Sequence, residues 1–228
     1  MNCFAHSLPF FDRPYFAVGT CIPDWLTACD RKCRARKKKA AAWIDDPDPI
    51  LAAVAAGVVQ HHEDDYWFHG SAIFTRITLE LDVEYREQFG NTQAMRANLI
   101  GHIVIEMLLD AFLESKFPGS MEQMYGWVAE LDAEKVQDCI NHFASQPTKK
   151  LAGEIDRFQS ERYLFDYLQD EGVRYRMNNV LGRLSLELMP EESIAWLGKK
   201  RQQVFKHAEA LLAPVSYTHL TLPTNREV

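Results

Sequence analysis

From Pro49 to Lys116 apolar residues recur at helical spacing, and the breaks in the pattern fall on residues that stop helices. The run DDPDP, Asp45 to Pro49, is a strong helix start, with Asp48 as cap and Pro49 in the first turn. The spacing predicts one helix from about Pro49 to His69, closed by Gly70, and a second from Ser71 to Phe89, ended by Gly90. A third is expected from Thr92 to about Lys116, stopped by Phe117-Pro118-Gly119. Shorter helices are expected at about Ser120 to Leu131 and Ala133 to Ala144, and Pro147, Glu171 and Pro190 mark approximate starts for three more. Upstream, YFAVGTCIPDWLTACDR reads as two short helices broken at Gly19 and Pro23. ITLELDVEY is the best strand candidate, but its apolar positions also suit a helix. The chain therefore reads as all-α, a single-domain helical bundle.

Two of these helices place polar residues where the pattern calls for core. His61, Asp65 and His69 stand four apart in QHHEDDYWFHG, and His102, Glu106 and Asp110 stand four apart in GHIVIEMLLDAFL. At about 100° per residue, positions i, i+4 and i+8 drift by only about 80° and share one face. The second set lies among Ile100, Ile103, Val104, Ile105, Met107, Leu108, Leu109, Phe112 and Leu113, a background that predicts burial. Buried carboxylates without partners are costly, and a divalent metal is the simplest partner for both imidazole and carboxylate. Ligands three or four apart on facing helices converge in a bundle core, so a metal site between core helices is expected. His6 and Asp24 can join it from the amino-terminal region.

Mixed nitrogen and oxygen ligands suit zinc, manganese or iron, as one or two ions, without choosing among them. The competing reading of the same stripes is a structural polar core. His62, Glu63 and Asp64 fall off the stripe and read as solvated surface, with Asp64 or Glu63 available to support a ligand or move a proton. Trp67 and Phe68 read as core, and Arg96 as a surface ion pair or a phosphate contact.

Composition narrows the function. A chain of 228 residues, 47% hydrophobic and 25% charged, is long enough for one substantial core. Its net charge of -7 argues against wholesale nucleic-acid binding, which needs a surplus of basic residues. The basic run RKCRARKKK, Arg31 to Lys39, is local and reads as a solvated face or a surface that steers an acidic partner. No stretch has the apolar length of a membrane span, and the amino-terminal residues lack the features of a signal peptide. Five unevenly placed cysteines suit reduced thiols, and a cytoplasmic location is expected. The end of the chain, VSYTHLTLPTNREV, breaks the helical pattern and matches a reading frame of a transposase sequencing adapter. Residues 1–214 are therefore expected to be the native domain, and 215–228 an adapter-derived read-through in an assembled environmental sequence.

The opening MNCFAH, the turn GTCIPDW with Asp24, AGVVQHHEDD with His61 and Asp65, and GHIVIEMLLDAFL with Glu106 and Asp110 together resemble the acyl carrier protein phosphodiesterases over roughly the first 115 residues. Where that family has a His after the second acid this chain has Ala111, and Glu106 stands in place of an Asp. The ligand order is also similar to that of the zinc-dependent phospholipase C superfamily, all-α enzymes with a His-x3-Asp helix, a downstream His and a His-x3-Glu helix. That likeness implies His61, Asp65, His69, His102 and Glu106 as ligands, with Asp24 a further one.

Both resemblances imply metal-dependent phosphodiester hydrolysis, with Asp24, Asp65, Asp110 and His6 as candidate catalytic groups. The carrier-protein likeness further implies an acidic carrier protein docking on Arg31–Lys39. The alternative function is a non-catalytic helical scaffold that keeps a metal or polar core for stability.

Overall fold

A computed structural model describes residues 1–90 and 98–215. Among them every regular element is helical: α1 (Cys3–Ser7), α2 (Pro14–Cys29), α3 (Lys37–Ala40), α4 (Pro49–His69), α5 (Ala72–Phe89), α6 (Leu99–Lys116), α7 (Ser120–Ala129), α8 (Ala133–Phe143), α9 (Leu151–Glu161), α10 (Asp170–Arg183) and α11 (Ser193–Leu212). Short 3-10 turns occur at Leu8–Phe10, Ala41–Trp43 and Tyr163–Leu168. The strand candidate lies within α5, where Ile77, Leu81 and Tyr85 make a buried helical stripe. None of the described helices is long and apolar enough to cross a membrane.

The caps do what their residue types suggest. Asp48 accepts from the backbone N–H groups of Ile50 and Leu51, and Ser71 accepts from Phe74 N. Both long helices therefore begin where the sequence signals put them. The expected start of α6 near Thr92, and Arg96 with it, lie outside the described residues. So does the tail after Val215, whereas the Val215 side chain is buried.

The amino-terminal expectation needs correction. Gly19 and Pro23 do not break the chain into two helices, because α2 runs through both. Gly19 instead marks a backbone contact with α4. A Cβ built on Gly57 would stand 2.1 Å from the Phe16 carbonyl oxygen, and one on Gly19 would stand 2.5 Å from that of Val54. Pro23 forfeits one helical hydrogen bond, but Val18, Cys21, Ile22, Trp25 and Leu26 around it are all buried. Tertiary packing of this face overrides the local penalty.

The α2–α4 pair is the most extensive helix contact of the fold, with α3 and α8 also packed on α4. On the other side, α6 is enclosed by α5, α10, α11 and the Tyr163–Leu168 turn. The two halves are bridged by α1, which packs against α2 and α6. Its anchor is Asp110 of α6, which accepts from Ala5 N at 3.2 Å and from the Asn2 amide at 2.8 Å.

Three stability tests follow. Gly57→Ala should cost at least about 1–3 kcal/mol in urea denaturation, since backbone must move to admit the methyl group. Gly126→Ala in α7, where an added Cβ meets nothing within 4 Å, should instead stabilise by about 0.5–1 kcal/mol. Asp110→Ala should cost about 1–3 kcal/mol in the same measurement, because it removes the buried acceptor of two hydrogen bonds that hold α1 to α6.

Candidate metal centre

The first ligand group joins α1 to α4. His6, His61 and Asp65 each offer one atom, all within 4.8 Å of one another. His61 Nδ1 lies 2.8 Å from the Thr20 carbonyl oxygen, which can only accept, so that ring nitrogen carries the hydrogen. His6 Nδ1 points at Asp64 Oδ2 at 3.3 Å, while Asp64 Oδ1 accepts from Gln60 at 2.7 Å. Both rings thus turn their Nε2 atoms to Asp65, at 3.1 Å from His6 and 3.4 Å from His61. A carboxylate or carbonyl behind each imidazole is how proteins fix the tautomer of a metal-binding histidine.

The second group joins α4 to α6. His69 Nε2 and His102 Nε2 both lie 3.1 Å from Glu106 Oε1, and Phe74 packs edge-on against both rings. Asp65 links the two groups, its Oδ1 standing 3.8 Å from His69 Nδ1. The i, i+4, i+8 drift explains the division: His61 and Asp65 face α1, whereas His69, one turn on, faces α6.

The Met1 amino group sits where the two groups meet, 2.7 Å from Asp65 Oδ1, 3.1 Å from Glu106 Oε1 and 3.5 Å from His69 Nε2. Burial works against its charge, but Glu106, Asp65 and Asp24 outweigh it and raise its pKa to about 10. Burial alone would push Asp65 up. Hydrogen bonds from His6 and His61 and the Met1 charge instead hold it well below the usual carboxylate range. Glu106 is held down in the same way by Met1, His102 and His69, and His102 is raised by Glu106 against its own burial.

Asp24 of α2 stands beside the first group. Its Oδ2 is shut off from solvent and has no hydrogen-bond partner among the described residues. Burial drives its pKa up to about 7, opposed by His61 and Met1 and reinforced by Asp65 and Glu106. These observations fit a divalent cation: imidazole nitrogens converge with carboxylates, a cationic nitrogen already occupies their junction, and one buried carboxylate oxygen lacks a partner.

The described structure thus brings His6, His61, Asp65, His69, His102 and Glu106 into two groups that could hold a metal ion, with Asp24 alongside. Asp110 belongs to neither group; it faces Asn2 and Ala5, and burial pushes its carboxyl well above the usual range. His62 is not solvated surface, as it donates from Nε2 to the Ala35 carbonyl at 2.7 Å and is partly buried. Asp64 is buried behind His6, whereas Glu63 is exposed and pairs with Lys37 at 3.1 Å. Phe68 is core, but Trp67 points outward with 60% of its surface exposed, because it lies opposite the ligand stripe.

Two clefts reach the groups. One of about 630 Å³ has Asp24 and Glu106 in its lining and a wall where Arg157 and Arg176 pair with Glu154 and Glu161, beside Arg183, Tyr163 and Tyr175. Another of about 350 Å³ reaches Asp24, His61 and Asp65 past Arg34, Arg36 and His62. Sequence reasoning missed the first wall. Its signal was nevertheless present, since Arg176, Asn179, Val180 and Arg183 are spaced as one face of α10 and all line the cleft. No family model matches this chain, and no curated protein or solved structure matches it either.

Proposed function

We propose that this protein is a metal-dependent phosphodiester hydrolase. One observation carries the reading: the two ligand groups meet at the Asp65–His69 edge, and one cleft reaches Glu106 while another, lined by Arg34 and Arg36, reaches His61 and Asp65. Structural metal sites are closed, whereas catalytic ones leave a coordination position accessible. Here the side chains of Asp65, His69 and His102 remain 28%, 31% and 38% exposed. That access favours catalysis over a scaffold that keeps a metal for stability alone.

His6, His61 and Asp65 would hold one ion and His69, His102 and Glu106 a second, with Asp24 supplying a further oxygen. Zinc, manganese and iron all suit this donor set. A divalent ion bound there would lower the pKa of a water and withdraw charge from the phosphoryl oxygens. The protein's own contribution is orientation. Thr20 and Asp64 fix the two imidazoles. In the larger cleft Arg157 and Arg176 are tied to Glu154, Glu161 and Asp166, whereas Arg183, with no carboxylate partner among the described residues, would offer positive charge to an anionic substrate. The motifs resembling acyl carrier protein phosphodiesterases support a phosphopantetheine-bearing carrier protein as substrate, with the basic segment Arg31–Lys39 as the surface that meets its acidic face. The ligand order similar to phospholipase C enzymes supports the same bond type.

The purified chain should retain stoichiometric metal by elemental analysis and hydrolyse bis(p-nitrophenyl) phosphate when supplied with Mn²⁺ or Zn²⁺. Metal retained without turnover of any phosphoester, with any of these ions, would overturn catalysis in favour of a structural site. Asp65→Ala, which touches both groups, should abolish metal retention and turnover together. Asp64→Ala should weaken metal binding about 10–100-fold, since it frees the His6 ring, and excess metal should restore much of the rate. Chelation should lower the Tm of the parent chain, because the ion binds the folded state alone.

A further inference from the structure

The basic run is not a uniform solvated face. From Lys32 to Arg36 exposed and buried residues alternate, with Cys33 and Ala35 inside and Lys32, Arg34 and Arg36 outside. This is the period of an extended segment, which puts Arg34 and Arg36 on one side. The segment is clamped along its length. Ser145 Oγ donates to the Lys32 carbonyl and accepts from Arg34 N, Ser145 N donates to the Arg34 carbonyl, and His62 donates to the Ala35 carbonyl. Cys33 Sγ reaches the Gln146 carbonyl at 3.2 Å. The strap is thereby tied both to the α8–α9 connection and to the residue that follows the ligand His61.

Arg34 and Arg36 line the smaller cleft together with Asp24, His61 and Asp65. Among the described residues neither guanidinium is paired with a carboxylate. Arg34 makes one long contact, Nη1 to Thr27 Oγ1 at 3.4 Å. The rest of the run differs, since Lys37 pairs with Glu63 and Lys39 donates to the Ala144 carbonyl, away from the cleft. Two uncommitted guanidinium groups on a fixed backbone, beside imidazole and carboxylate ligands, form a receptor for a phosphoryl group. The planar fork of each matches two phosphate oxygens. A volume of about 350 Å³ suits a phosphoryl group with a short ester arm rather than the face of a protein.

We propose that Arg34 and Arg36 form a phosphoryl-binding subsite that seats the substrate phosphate over His61 and Asp65. The inference rests on the phosphoesterase reading of those ligands, and it deepens that reading by assigning the residues that recognise the anion. It also divides the basic run: Arg34 and Arg36 face the site, whereas Arg31 and Lys38 do not line the cleft.

The test reads binding rather than turnover. Inorganic phosphate is titrated calorimetrically into the full chain, with and without Mn²⁺, for the parent, Arg34→Gln with Arg36→Gln, and Arg31→Gln with Lys38→Gln. The cleft pair should raise the phosphate Kd by about tenfold or more while metal content and thermal melt stay at parent values. The control pair should leave the Kd unchanged. Absence of phosphate binding by the parent, or an unchanged Kd in the cleft pair, overturns the subsite. An equal loss in both pairs also overturns it, and marks instead a diffuse basic face for an acidic macromolecule. A parent that binds phosphate through Arg34 and Arg36 but hydrolyses no phosphoester would leave the subsite standing and remove the hydrolase reading.

Discussion

The close approach of α2 and α4 at Gly19 and Gly57 is the constraint from which the centre is built. With no Cβ on either residue, the two helix backbones come within a distance that side chains forbid. The next residue of α2, Thr20, then offers its carbonyl to His61, which lies one turn beyond Gly57 on α4. One turn beyond Thr20 on α2 comes Asp24, and one turn beyond His61 on α4 comes Asp65. The glycine contact therefore sets the spacing between two facing rows of polar groups. A methyl group at either position would separate the rows as well as loosen the core.

What these rows cost is electrostatic. Asp24, Asp65 and Glu106 stand together in a region largely withdrawn from water, where like charges repel strongly and each carboxylate loses hydration. The arrangement persists because imidazoles and the Met1 amine stand close to those acids. Asp65 and Glu106 have imidazoles and the Met1 amine within hydrogen-bond reach, and they are the two held as charged carboxylates. Asp24 has no such contact at Oδ2 and shifts the other way. Of these three, Asp24 is the carboxylate whose charged form burdens the fold.

Much of this was legible in the sequence, and the reasons are physical. Helix boundaries at Asp48, Ser71 and Phe117 were readable because caps and breakers act locally. The stripes His61-Asp65-His69 and His102-Glu106 were readable because helical periodicity converts spacing into a shared face. Asp110 has the same spacing yet serves a different neighbour, since which helix lies opposite each turn is a tertiary fact. Gly19 misled for a related reason: a glycine that ends a helix and one that admits another backbone look alike in a single sequence. The pairing of Arg34 and Arg36 with the cleft depended on Ser145 and His62, contacts made 111 and 27 positions away, which no local pattern encodes. Trp67 departs from the core reading because its phase on α4 points outward.

The bridging role of α1 bears on the order in which the molecule is assembled. A helix of 5 residues cannot sustain itself in water. It is held by Asp110, 105 positions after Ala5, and by the ring contact of His6 with Asp64, 58 positions on. His6 consequently joins the first ligand group only after α4 and α6 have both reached the amino-terminal segment. Contacts of such sequence separation carry a large loop-closure cost. The first group therefore requires the two halves of the bundle to stand together, and any change that parts them withdraws His6 from it.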